Sequence, residues 1–389
     1  MKYLGALVAF PIAMLLAMGM NWIALFRFPS ETTHWTLRAR KLWPIRRSAG
    51  MHILLIPAVL GFAHLIATHA QQPDLSFVLI ISAWAGAAFG TFFLSKKIFP
   101  QFTFRLWLRV SLAAWIIRFG TLGVLVVGGL LMPEEFGWQL VVIGGVVITL
   151  QAAMHFGLSI RLLQVTGMLA RARGPEPVCD IVWRTSERMQ VPYCSILILR
   201  NPLGYAAALP TTRDLIFSEG LLAAHPKEEI AAIAAHELAH LSEPRRLVLA
   251  RVLGAMSLCP LIFVRPMVHA FDFSGIVILL LPMVLFSVYL RRLRRRMEVR
   301  ADAMANENAA EAGVYARALE RLYEMNKIPA VMPGKRQVHP HLYDRMLAAE
   351  VTPDYPRPNP PATLHWTSGV MYAVLLFLVV AMITMSAIP

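Results

Sequence analysis

Eight runs of mostly apolar residues, near 3–26, 51–69, 76–95, 110–132, 138–160, 247–265, 273–290 and 366–388, divide this 389-residue chain and restrict its fold more than any other feature. Each is about 18 to 25 residues long, enough for a helix to cross a bilayer. With 57% hydrophobic and 15% charged residues, the chain is too apolar for an ordinary soluble protein of its length. The sixth and seventh runs flank Arg265 and Pro266, a predicted hairpin. The first run has one lysine before it, no convincing small-x-small cleavage site, and its other basic residues follow it, which is the pattern of an uncleaved anchor and not of a signal peptide.

The net charge of +14 would suit nucleic acid, but its placement argues otherwise. Segments 27–50 and 96–109 hold six and four Lys or Arg, and 161–246 and 291–365 hold ten and thirteen, while 70–75 and 133–137 hold none. With the amino terminus outside, these basic segments all fall on one side, so the positive-inside rule predicts a cytoplasmic location for 161–246 and 291–365. Anionic headgroups then account for the charge, and no nucleic-acid partner is expected. Cys179, Cys194 and Cys259 show no CxxC pairing, which argues against both a disulfide framework and a thiolate metal site.

A polar stretch at 164–246 can fold outside the lipid. Val178 to Met189 reads as an amphipathic helix, and Ser195 to Leu199 as a strand closed by the turn residues Asn201, Pro202 and Gly204. Tyr205 to Leu209 and Asp214 to Ser218 read as two further short strands. In one reading Tyr205, Ala206, Ala207 and Ala208 form an exposed edge that holds an extended peptide by main-chain hydrogen bonds. In the other they form a hairpin that only packs against the following helix.

That helix, Glu228 to Leu241, contains His236, Glu237, Leu238, Ala239 and His240, an HExxH motif. A spacing of four puts both imidazoles on one helix face, where they can share one metal ion. Neutral imidazole is a common zinc ligand, and Glu237 is placed to take a proton from metal-activated water. Beyond the hairpin, Glu298 and Asp302 again stand four apart. Glu298 can complete a two-His, one-Glu zinc site, with Asp302 fixing the tautomer of a ligating histidine. Alternatively both acids offset the arginines around them.

HExxH, then a membrane hairpin, then Glu298, Ala301, Asp302 and Ala305, resembles the membrane zinc metallopeptidase family of HtpX and CAAX prenyl protease type. Five spans before the zinc helix, and two between it and Glu298, are most similar to the CAAX prenyl protease branch. The resemblance implies one zinc per chain, with Glu298 as third ligand and Asp302 behind a histidine. It extends to His339, Pro340 and Arg345, similar to the family's late H-P-x-x-x-x-R element, which implies that His339 and Arg345 lie near the cleft. There either stabilises an oxyanion, or Arg345 serves as a buried structural arginine. The edge strand departs from the family, since Gly204 to Ala208 lacks the usual Asn. The eighth run is an addition to the common plan.

The expected fold is mainly α: a polytopic membrane bundle of about eight spans with a cytoplasmic α+β gluzincin-like zinc peptidase domain. Its divisions are 1–163 (five spans), 164–246 (zinc domain, first part), 247–290 (hairpin), 291–365 (second part) and 366–389 (last span). The expected activity is zinc-dependent endopeptidase action on membrane-associated or unfolded polypeptides at the cytoplasmic face of a cell (inner) membrane, with Glu237 as general base. The composition, rich in Ala and Arg, points to a bacterial source. A membrane sensor with a peptidase-like domain is the alternative, but it needs a substantial external domain, and the external loops are short. His64, Arg118, Gln151 and His155 lie within apolar runs, where polar groups face a wet cavity or satisfy helix contacts. The Pro-rich stretch 352–361 reads as a linker or as a lid.

Overall fold

The computed structural model describes residues 4–26, 33–68, 73–174, 176–334 and 340–386. The chain opens with α1 (Leu4–Leu25), α2 (Trp35–Ala67), α3 (Pro73–Ile98), α4 (Phe104–Leu131) and α5 (Trp138–Ala153). A π-helical turn at Met154–Leu158 joins α5 to α6 (Ser159–Val165). Then come β1 (Leu169–Arg171), α7 (Pro177–Met189), β2 (Ser195–Leu199), β3 (Ala206–Leu209), β4 (Asp214–Ser218), α8 (Glu219–Ala224) and α9 (Lys227–Leu241). The remaining helices are α10 (Arg245–Ala255), α11 (Val264–Glu307), α12 (Val314–Met325), α13 (Leu342–Ala348) and α14 (Trp366–Ser386).

Among the described residues, six helical stretches are long and apolar enough to cross a membrane, or seven if the bent α4 counts as one. The sixth and seventh apolar runs both fall within one of these stretches, Arg245–Glu307. The predicted continuous span over 247–265 is not one helix. α10 stops at Ala255, after 11 residues, and a 3-10 turn follows at Cys259–Phe263, where Pro260 has no N–H to give to a helix. Eleven residues rise about 16 Å, roughly half a bilayer core. The return is not at Arg265 and Pro266 either, because these sit inside the first turns of α11, and the backbone breaks at Asp272 (φ 48°). The direction has reversed by Leu290, whose side chain lies against Gly254 of α10.

The chain divides into two compact units. The first comprises residues 1–107, 326–335 and 355–389. Here α1 and α3 meet through small residues spaced about one turn apart, Ala9, Ala13 and Ala17 against Ala83 and Ala87. Hydrocarbon chains offer no hydrophobic drive for helix pairing, so close backbone approach and dispersion hold such pairs together. Gly86 shows how close the approach is, since a Cβ there would lie 2.1 Å from the Phe10 carbonyl oxygen. At the start of α2, His34 and Trp35 bury Tyr355 at ring separations of 5.3 and 5.7 Å. Tyr355 thus ties the Pro-rich stretch to the start of α2.

The second unit, residues 108–325 and 336–354, contains a four-stranded sheet in the order β1-β2-β4-β3. β2 and β4 run parallel, and the outer pairs are antiparallel. The three strands read from sequence are β2, β3 and β4, and β1 is an addition that sequence reading missed. Ile196, Leu215 and Phe217 pack towards α7 and α9, while Leu197 and Ile216 pack with Ala113, Leu163 and Met168 on the other face. Burial of both faces explains why β2 and β4 are continuous apolar runs without polar alternation. Gln151 is buried and donates to the Thr121 carbonyl, a contact between helices. The His155 carbonyl, in the π-turn, accepts the Thr211 hydroxyl at 2.9 Å. His64 is half-buried, and the side chain of Arg118 lies outside the described residues.

Candidate metal centre

α9 begins after Pro226, with Glu228 and Glu229 in its first turn, where the positive end of the helix dipole favours acids. Its residues are buried from Ala232 to Leu241. Ala232, Ala234, Ala235 and Ala239 keep the helix thin enough for the sheet and α11 to approach it. On α11 the positions 298, 301, 302 and 305 share one face, and Ala301 and Ala305 are the small, buried residues of that face. Glu298 and Asp302 are thereby carried to the histidines.

His236, His240 and Glu298 form one cluster, with potential ligand atoms all within 4.8 Å of one another. His236 Nε2 lies 3.6 Å from Glu298 Oε2, and His240 Nε2 lies 3.7 Å from Glu298 Oε1. A tetrahedral zinc with ligands at about 2.1 Å separates them by roughly 3.4 Å, so the donor set fits that ion in type and size. Glu237 is buried beside the pair. Tyr205, just before β3, feels its charge: burial and the Glu237 carboxylate both push the Tyr205 phenol up.

Behind His236 lies a network larger than the sequence suggested. Its Nδ1 is 3.2 Å from Asp302 Oδ1 and 2.7 Å from the Tyr315 hydroxyl. Tyr315 is 2.8 Å from the same Asp302 oxygen, and Arg345 donates to both Asp302 and Tyr315. Burial alone would lower the His236 imidazolium, but the Asp302 and Glu298 carboxylates outweigh it and raise it to about 9 in the metal-free site. Burial also holds the Tyr315 phenol well above its ordinary range, which keeps it a neutral donor. Burial opposes the Arg345 charge, yet the Asp302 carboxylate beside it raises its pKa above the ordinary arginine value.

Of the residues singled out from sequence, His236, Glu237 and His240 lie on α9, Glu298 and Asp302 on α11, and Arg345 on α13. Tyr205 to Ala208 lie at and just before β3, at one edge of the sheet. His339 lies outside the described residues. Three residues went unnoticed: Tyr315, Glu243 and Arg251. Glu243 carried a signal, three residues after His240 and so within reach of it along the helix. Arg251 carried one as a charge inside an apolar run. Tyr315 carried none, since a tyrosine in an amphipathic helix is ordinary.

Residues 181–352 match peptidase family M48. Ste24p of S. mikatae, in its crystal structure, shares the fold with a TM-score of 0.51 at 13% identity, over 90% of this chain and 97% of that one. No curated protein matches the chain. Fold and site together define a membrane metallopeptidase.

Proposed function

We propose that this chain is a zinc-dependent endopeptidase that hydrolyses peptide bonds of membrane-associated or unfolded polypeptides at the cytoplasmic face. The convergence of His236, His240 and Glu298 at zinc-like separations beside Glu237 carries the reading. Zinc held by these three residues would acidify water and polarise the scissile carbonyl. Glu237 accepts the water proton and returns it to the departing amine. Asp302 and Tyr315 hold His236 with Nδ1 as donor, which leaves Nε2 free to ligate. Arg345 is engaged with Asp302 and Tyr315, which supports its reading as a buried clamp and leaves His339 as the candidate for oxyanion stabilisation.

The sheet edge at β3 supports main-chain capture of substrate. Ala206 pairs with Phe217, Ala207 with Ile216 and Ala208 with Leu215. Tyr205 accepts from the Ser218 N–H at 2.8 Å. Antiparallel bonding alternates, so Ala206 and Ala208 turn their N–H and C=O groups to the free edge. Their small side chains leave room for a peptide laid alongside. Basic loops on one side of the membrane support the cytoplasmic placement.

The test is cleavage of casein and of a membrane-protein substrate by the detergent-purified full chain, with bound zinc quantified, alongside Glu237→Gln. Zinc in both proteins with cleavage only by the wild type is expected. Absence of zinc from the wild type overturns the reading.

A further inference from the structure

His236 leans on Asp302, and His240 has a partner of its own. Its Nδ1 lies 2.8 Å from Glu243 Oε1, on a side chain only 3% exposed just past the end of α9. Arg251, on α10, donates to the same oxygen at 2.6 Å, and the donating nitrogen also comes within 3.1 Å of His240 Nδ1. A guanidinium can only donate. Two arrangements of the neutral imidazole therefore compete. In one, Nδ1 carries the hydrogen and donates to Glu243, and the Nε2 lone pair faces Glu298. In the other, Arg251 donates to a bare Nδ1, and the ring hydrogen sits on Nε2, where it blocks ligation. A carboxylate that accepts from both Nδ1–H and Arg251 selects the first and occupies the arginine.

We propose that Glu243 is a positioning residue that holds His240 in its metal-ligating tautomer, and that Arg251, from the membrane hairpin, holds Glu243. This gives a role to an arginine set among Leu and Val residues in the first arm of the hairpin, and it ties that arm to the metal centre. The inference rests on the zinc reading of His236, His240 and Glu298.

The experiment is zinc affinity of the full chain in detergent, by competition with a chromophoric chelator at fixed pH, with unfolding of the metal-free protein followed by circular dichroism. Glu243→Ala is expected to weaken zinc about 10- to 100-fold, as loss of a histidine's hydrogen-bond partner does. Adding Arg251→Ala should restore part of that affinity, because nothing then donates to Nδ1 and water can accept from it. A merely structural ion pair predicts no such recovery. Wild-type affinity in Glu243→Ala, or a double variant no tighter than Glu243→Ala, overturns the proposal. Should Glu243→Ala not fold, Glu243→Gln serves. Its carbonyl still accepts from Nδ1–H, so zinc affinity should stay near wild type, and a loss of 10-fold or more refutes the tautomer argument. A wild type that binds no zinc refutes the zinc reading instead.

Discussion

Arg345→Met separates a clamp from a catalytic cation. The guanidinium is 8% exposed and donates to Asp302, itself 14% exposed, and to the Tyr315 hydroxyl at 2.7 Å. Removing one partner of a buried pair leaves the other charge uncompensated, which costs about 3–5 kcal/mol. Asp302 retains Tyr315 at 2.8 Å and His236 at 3.2 Å, so the lower end, about 3 kcal/mol, is the expected loss. An oxyanion-stabilising arginine predicts the opposite pattern: unchanged stability and a kcat lowered about 10²- to 10³-fold. The assay is denaturant unfolding of the metal-free protein in detergent by circular dichroism, paired with kcat at saturating zinc. An unfolding free energy within about 0.5 kcal/mol of wild type, ordinary for an exposed substitution, together with a kcat loss of 100-fold, would refute the clamp reasoning.

Tyr315→Phe removes a buried hydroxyl that bonds a carboxylate, and is expected to cost about 1.5–3 kcal/mol in unfolding of the metal-free protein. Zinc affinity should fall less than in Asp302→Ala, because His236 Nδ1 can still bond Asp302 directly, and equal losses would contradict this order. The His236 imidazolium is raised to about 9 when metal-free, above an unfolded value near 6.5. A raised pKa stabilises the folded state fully below about pH 6.5, and the contribution, on the order of 3 kcal/mol, is lost as pH rises through about 9. Melting of the metal-free protein should therefore drop between these values, and zinc-loaded protein should lack that drop because the metal replaces the proton. Identical profiles for the two forms would count against the assignment. Gly86→Ala places a Cβ 2.1 Å from the Phe10 carbonyl oxygen, so α1 and α3 must separate. Overpacking of this kind costs about 1–3 kcal/mol, read as a lower melting temperature in detergent, and an unchanged melt would mean that the helices part freely.

The sequence by itself determined whatever depends on local period or on short spacing. Runs of about 20 apolar residues dictate membrane-length helices because a bilayer supplies no hydrogen bonds to backbone groups. A spacing of four put His236 and His240 on one face, and Glu298 and Asp302 on another, in any helix that contained them. The strands β2 and β4 were legible from their apolar blocks, and the amphipathic helix α7 from its period. Tertiary structure decided what relates distant segments. β1, three residues long, exists only because β2 pairs with it. The first arm of the hairpin stops short at Ala255, where sequence suggested a whole span, because hydropathy does not register the break that Pro260 imposes on the helix. Tyr315 reaches His236 across 79 residues, Arg345 reaches Asp302 across 43, and Arg251 reaches Glu243 from the next helix. Such contacts leave no period in the sequence, because the packing of whole helices and not the spacing of residues along one helix sets which side chain fills a buried polar vacancy.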